Sequence, residues 1–225
     1  MTATAVRSTG LFKRYGDHPA LGPIDVTITP GERVALIGHN GSGKTTLIRL
    51  LTGRLDPTEG SARIAGHDPG SIEARAAVSY LADQPVFYDD LSVNEHLEYV
   101  ARLHGRDEWR DLADDLLTRV GIEDRADDLP TTFSRGLKQK AAICIAFIRP
   151  FDVLLVDEPY VGLDASGREA LLGLFDDAHA EGKTLVVATP ELGTVGASQR
   201  VLALRDGSLD YDGPPEADLR ARVDG

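Results

Sequence analysis

Residues 38–45 read GHNGSGKT, and this stretch decides how the chain folds. It matches G-x-x-x-x-G-K-[ST], the pattern of a phosphate-cradling loop. Its surroundings agree: the β-branched, apolar run RVALI (33–37) precedes it, and Leu47, Ile48, Leu50 and Leu51 follow at helical spacing, with Gly53 as a stop. Glycines at this spacing let successive backbone N–H groups turn inward toward phosphate oxygens, and the following helix adds its N-terminal partial positive charge. Gly38, His39, Asn40, Gly41, Ser42, Gly43, Lys44, Thr45 and Thr46 are therefore the candidate nucleotide-contacting residues. Within that set, Lys44 is expected to reach the β- and γ-phosphates and Thr45 to ligate Mg²⁺ through its hydroxyl. His39 reads as a variable position of the loop.

The second informative stretch is VDEPYVGLD (156–164), where two adjacent carboxylates end an apolar run and a proline follows. VLLV (153–156) and TLVVAT (184–189) are short β-branched runs of the kind buried on both faces of a parallel sheet. Between them, a pattern with Ser166 and Glu169 as a capping box carries Leu171, Leu172, Leu174, Phe175 and Ala178 on one face. Strand, helix, strand predicts an α/β core with a parallel sheet. In a nucleotide site, the acid at the end of a buried strand can supply the metal's second protein oxygen, which is the expected role of Asp157. Glu158 points differently and is the candidate to accept a proton from an attacking water.

Working outward, IDVTI (24–28) is a further strand candidate, with Pro30-Gly31 turning the chain into RVALI. From about residue 84 to 149 the character changes to helical. Ser92 and Glu95 form a capping-box pair ahead of HLEYVARLH, Gly105 supplies a stop, and Trp109, Leu112, Leu116 and Val120 share one side of a second amphipathic segment. SRGLKQKAAICIAFI is a third helical segment, and its Cys144, the one cysteine of the chain, reads as small buried packing. One domain is expected, with a core built from about 1–83 and 150–225 and a helical insertion over about 84–149.

Composition narrows the function. A formal net charge of -12 and a pI near 4.9 argue against a phosphate-backbone binder, so no nucleic-acid partner is expected. Asp89-Asp90 and Asp114-Asp115 read as solvated surface. The longest apolar run, AAICIAFI, falls well short of the roughly 20 residues needed to cross a bilayer, and the opening MTATAVRSTG lacks a signal-peptide core. These features predict a cytoplasmic chain that reaches a membrane only through a partner.

Just upstream of the two carboxylates, FSRGLKQK (133–140) resembles the signature loop, roughly L-S-G-G-Q, of the ATP-binding subunits of ABC transporters. Ser134 and Gly136 match, while Arg135 and Leu137 depart. The likeness extends from LFKRYGDHPAL to LALRDGSLDYDGPP. It implies an α/β P-loop NTPase: a RecA-like parallel-sheet core, an antiparallel β subdomain and an inserted helical subdomain. It also implies ATP and Mg²⁺ at sites shared across a head-to-tail dimer, a homodimer or a heterodimer with another such subunit. Tyr15 then takes the place of the aromatic that stacks on adenine. Ser134 and Gly136 would touch the γ-phosphate held by the opposite subunit, and GLD (162–164) resembles the loop that crosses the dimer seam. YDDLSVNEHLEYVARLHG and FSRGLKQK look most like exporters that pair a separate ATPase with a transmembrane permease, which would hold this chain at the inner face of the membrane.

Two further positions depart from that pattern. Asp83 stands where the family has glutamine, and a carboxylate there could bind Mg²⁺. Pro190 stands where a histidine contacts the γ-phosphate, and proline offers neither imidazole nor backbone donor. A contact worth about 1.5–3 kcal/mol would, if missing, slow turnover roughly 10- to 150-fold. The alternative to an ATP-hydrolysing exporter subunit is thus a regulatory ATP-binding subunit with impaired hydrolysis. A ribosome- or DNA-directed ABC ATPase predicts two cassettes or long coiled coils, and a small P-loop kinase would leave FSRGLKQK unexplained.

Overall fold

The computed structural model describes residues 4–190 and 197–216. Its centre is a six-stranded sheet in the order β5-β6-β7-β3-β8-β9. Strands β3 (Arg33–Ile37), β5 (Val78–Leu81), β6 (Val153–Asp157), β7 (Thr184–Thr189) and β8 (Arg200–Arg205) pair in parallel, and β9 (Ser208–Gly213) closes the edge antiparallel to β8. Every residue of β3, β6 and β7 is buried, because a parallel sheet is covered on both faces.

Alternation along these strands divides the core in two. Leu154 and Val156 of β6 face one cluster with Leu185 and Val187 of β7, and Val153 and Leu155 face the other with Val186 and Ala188. The first cluster takes in α3 (Val93–Leu103), α4 (Arg110–Val120), α5 (Arg135–Ile148) and α6 (Ala165–Ala180). The second joins α1 (Lys44–Leu51) to a three-stranded antiparallel sheet of order β2-β1-β4, made of β1 (Val6–Tyr15), β2 (His18–Ile28) and β4 (Glu59–Ile64). One sheet therefore carries the helical layer on one side and the phosphate-loop helix with the β layer on the other. Cys144 lies fully buried in the helical layer, where loss of hydration pushes its thiol far above the ordinary range.

Local signals explain where most elements begin. Ser92 and Glu95 form the reciprocal capping box of α3: Ser92 Oγ accepts from the Glu95 N–H at 3.2 Å and Glu95 Oε2 accepts from the Ser92 N–H at 2.8 Å. Gly105 and Gly121 adopt left-handed backbone just past α3 and at the end of α4. The start of α6 corrects the sequence reading. Its cap is Asp164, whose Oδ1 accepts from the Gly167 N–H at 2.8 Å, and Ser166 is already inside the helix and donates to the same carboxylate. A short helix, α2 (Ile72–Ala77), leads directly into β5.

Candidate functional site

The loop between β3 and α1 needs its glycines for space as much as for dihedral freedom. Gly38 has φ +154, and a Cβ there would stand 2.4 Å from both the Leu204 carbonyl oxygen and Ser42 Oγ. Gly43 caps α1 with φ +104, a conformation with little cost only for glycine. Ser42 is fully buried and its hydroxyl has no hydrogen-bond partner among the described residues. An orphaned polar atom of this kind marks a place built for something other than packing.

Lys44 is 3% exposed, yet its Nζ is held by the loop itself: it donates to the carbonyl oxygens of Gly38 at 2.8 Å and His39 at 3.2 Å. Glu158 Oε1 lies 3.6 Å away. Beside it, Thr45 Oγ1 donates to Asp157 Oδ1 at 3.1 Å, joining residues 112 positions apart in the chain. Asp157 is 1% exposed. Burial holds its carboxyl above the ordinary range; the Thr45 hydrogen bond and Lys44 work against that rise, and the charges of Glu158 and Asp83 add to it. A desolvated carboxylate beside a hydroxyl is a pair of hard oxygens suited to Mg²⁺. Among the described residues no group of three or more His, Cys, Asp and Glu side chains could hold a metal.

Glu158 occupies left-handed backbone, φ +47, at the end of β6, while its N–H donates to the Ala188 carbonyl at 2.8 Å. A non-glycine residue in this region costs of order 1–3 kcal/mol and persists where the surrounding structure enforces it. The kink turns Glu158 away from the course of Asp157 and into an open cleft of about 290 Å³, lined by Ala20, Asn40, Gly41, Gly43, Lys44, Thr45, Thr46, Asp83 and Glu158. Asp83 thus joins the loop residues at one cavity, as its place after β5 allows.

Behind the cleft, α5 is pinned to the segment that follows Glu158. Ser134 caps the helix, its hydroxyl accepting from the Leu137 N–H at 3.3 Å. Buried Gln139 donates to the Pro159 carbonyl at 3.3 Å, and Lys140 donates to Asp164 Oδ2 at 3.1 Å. Gly136 lies so near Gly162 that a Cβ on it would stand 2.5 Å from the Gly162 carbonyl oxygen. Gln139 and Lys140 escaped the sequence reading; the available signal was two polar residues on the otherwise apolar face of a helix.

The remaining expected residues lie apart from the cleft walls. Tyr15 ends β1, half exposed, with Lys13 Nζ 5.4 Å from its ring centroid. His39 leans outward, Nε2 3.5 Å from Asp206 Oδ1. Ser134 and Gly136 stand at the α5 N-terminus, not on the walls of the chain's own cleft. Pro190 is exposed directly after β7, and the positions after it, 191–196, lie outside the described residues.

A glycine loop at the C-terminal end of one parallel strand, with a buried aspartate at the end of another and their hydroxyl and carboxylate in contact, defines a P-loop nucleotide-binding protein of the α/β class. The family model described as ABC transporter matches residues 21–161, and the chain belongs to that family. It is 38% identical over 226 residues to the macrolide export ATP-binding/permease protein MacB of Rhodopseudomonas palustris (strain BisB18), covering 94% of this chain and 34% of that protein. It is 34% identical over 205 residues to the SkfA peptide export ATP-binding protein SkfE of Bacillus subtilis (strain 168), covering 90% of this chain and 86% of that one. A solved ATP-binding subunit of an ABC transporter superposes with a TM-score of 0.90 at 30% identity, over 97% of this chain and 93% of the other. The chain spans about a third of the length of the MacB proteins it matches. No helix among the described residues is long and apolar enough to cross a membrane.

Proposed function

We propose that this chain binds and hydrolyses ATP to drive export through a separate transmembrane permease. The observation that carries the reading is the convergence of Lys44, the Thr45–Asp157 pair and Glu158 on one cleft. In this reading the amides of residues 38–46 and the ammonium of Lys44 take the phosphates, with Lys44 exchanging its carbonyl partners for phosphate oxygens. Thr45 and Asp157 hold Mg²⁺, with Asp83 close enough to join through water. When bound, that ion neutralises charge on the β- and γ-phosphate oxygens. Glu158 orients a water and takes its proton as the oxygen attacks the γ-phosphorus, giving ADP and phosphate. Tyr15 at the end of the β1–β2 hairpin is the residue proposed to meet the adenine.

The partners are proposals of the same reading. Ser134 and Gly136 serve a second cassette's nucleotide, in a homodimer or heterodimer. The helical segment over about 84–149 carries the motion to the permease, at the inner face of the membrane. Val86 is 95% exposed, two residues before Tyr88, whose ring packs edge to face against exposed Tyr99 at 5.7 Å. An apolar, aromatic surface of this kind suits a protein partner, and we assign it to the permease. The names of the relatives, export ATP-binding proteins, favour the export role, and Glu158 on the cleft wall favours hydrolysis over a purely regulatory role.

Steady-state phosphate release from MgATP tests this. Glu158→Gln should lower turnover by about 10²- to 10⁴-fold, the usual contribution of a positioned base, while leaving nucleotide binding intact. Turnover indifferent to Glu158→Gln would sink the assignment.

A further inference from the structure

Arg135 and Asp83 are hydrogen-bonded partners: Arg135 Nη2 donates to Asp83 Oδ1 at 3.0 Å, across 52 residues of sequence. The placement of Arg135 has no local advantage. It is the first residue of α5, where the helix dipole presents positive potential and a cation is disfavoured. Its stem packs against Gly162, with Arg135 Cγ 3.4 Å from the position a Cβ would take there. Asp83 is the only one of the two on the cleft wall, which it shares with Lys44, Thr45 and Glu158.

Charge in the cleft gives this pair a use. Asp83, Asp157 and Glu158 bring three carboxylates to a place proposed to take a triphosphate, and Lys44 and Arg135 are the cations paired with them. Without a metal, a bare Asp83 would repel phosphate; with one, the same carboxylate is attractive.

We propose that Arg135 is a positioning residue acting through Asp83, a latch that shields the carboxylate until the Mg²⁺-nucleotide claims it. The latch rests on the reading of the cleft as an Mg²⁺-nucleotide site. Entry of the loaded nucleotide moves Asp83 off Arg135, so the cation at the head of α5 is set free only when the chain's own cleft is filled. By linkage, the pair opposes binding of nucleotide with Mg²⁺ and favours binding of nucleotide without it.

The test is an equilibrium titration of the full chain with a fluorescent, non-hydrolysable β,γ-imido ATP analogue, in Mg²⁺ and again in EDTA. Arg135→Met should tighten binding about 1.5- to 5-fold in Mg²⁺, the range set by exposed ion pairs, and weaken it by a similar factor in EDTA. Arg135→Lys should behave as the parent chain. In an Asp83→Asn background, Arg135→Met should lose its Mg²⁺-dependent effect. A change of the same sign with and without Mg²⁺, or one that persists in Asp83→Asn, overturns the latch while leaving the cleft reading intact. Absence of binding that depends on Lys44, tested with Lys44→Ala, overturns both. Thermal melts of each variant without nucleotide confirm that the comparison is between folded proteins.

Discussion

The glycine loop before α1 and the head of α5 are built from different materials. The loop works through backbone: Gly38 with no room for a Cβ, Gly43 in left-handed backbone, Ser42 fully buried, and Lys44 held by the loop's own carbonyls. The head of α5 works through side chains that reach across the molecule, Arg135 to Asp83, Gln139 to Pro159 and Lys140 to Asp164. Backbone devices are local and demand particular residues at fixed spacing; side-chain ties can be exchanged in pairs. A region of the second kind is therefore where a chain can depart from its family's pattern and stay folded.

Adding one methyl group to each region sharpens that contrast, and the larger effect falls on the loop. Gly38→Ala would drive a Cβ into the Leu204 carbonyl and Ser42, and neither the backbone of β8 nor a fully buried serine can yield cheaply. We expect a loss of about 2–4 kcal/mol in thermal melts and loss of nucleotide binding in the fluorescence titration. Gly136→Ala meets the Gly162 carbonyl, but α5 gains up to about 1 kcal/mol of helix propensity from the change. A net loss of no more than about 2 kcal/mol is expected, with the affinity of the monomer's own cleft unchanged, since Gly136 is not on its walls. Equal loss of binding in both variants would mean that the two regions are not separable.

The next effect is smaller and opposite in sign. Because burial holds the Asp157 carboxyl above its ordinary range, the folded chain binds that proton more tightly than the unfolded chain. Its favourable contribution is present below the unfolded value, near 3.9, and is lost as pH rises through the folded value; at neutral pH the ionised group is a net cost. Asp157→Asn should therefore raise the melting temperature of the nucleotide-free chain at pH 7. The advantage should vanish below pH 4, and the variant should lose the Mg²⁺-dependent part of nucleotide binding. A lower melting temperature at pH 7 would show that the Thr45 hydrogen bond outweighs desolvation.

The sequence is most readable where physics leaves few choices. GHNGSGKT predicts both a strand before it and a helix after it, and β3 and α1 stand there. VLLV and TLVVAT predict buried parallel strands because both faces are apolar, as in β6 and β7. β4 is different: in EGSARI only Ala62 and Ile64 are buried, so an edge strand leaves almost no apolar period to detect. The left-handed kink at Glu158 has no glycine to announce it. Asp83–Arg135 joins residues whose sequence distance hides them from any local pattern.

Asp164 gives the smallest effect and the clearest case of a misleading local signal. Ser166 and Glu169 have capping-box spacing, yet the cap lies two residues earlier because the Asp164 carboxylate also receives Lys140 from α5, a contact with no trace in the nearby sequence. The Gly167 N–H, followed by Lys140, holds this carboxyl below its ordinary range, so its sign is the reverse of that at Asp157. Its contribution is present above the unfolded value near 3.9 and is lost as pH falls through the folded value. Asp164→Ala should cost about 1 kcal/mol at pH 7, and the difference from the parent chain should shrink as pH drops below 4. Asp157→Asn and Asp164→Ala, seven residues apart, should thus shift stability in opposite directions at neutral pH and converge on the parent chain in acid. Melts of the two variants from pH 7 to pH 3.5 measure this directly, and a destabilised Asp157→Asn or a stabilised Asp164→Ala at pH 7 would break the assignment of one carboxylate to ligand binding and the other to holding α6 against α5.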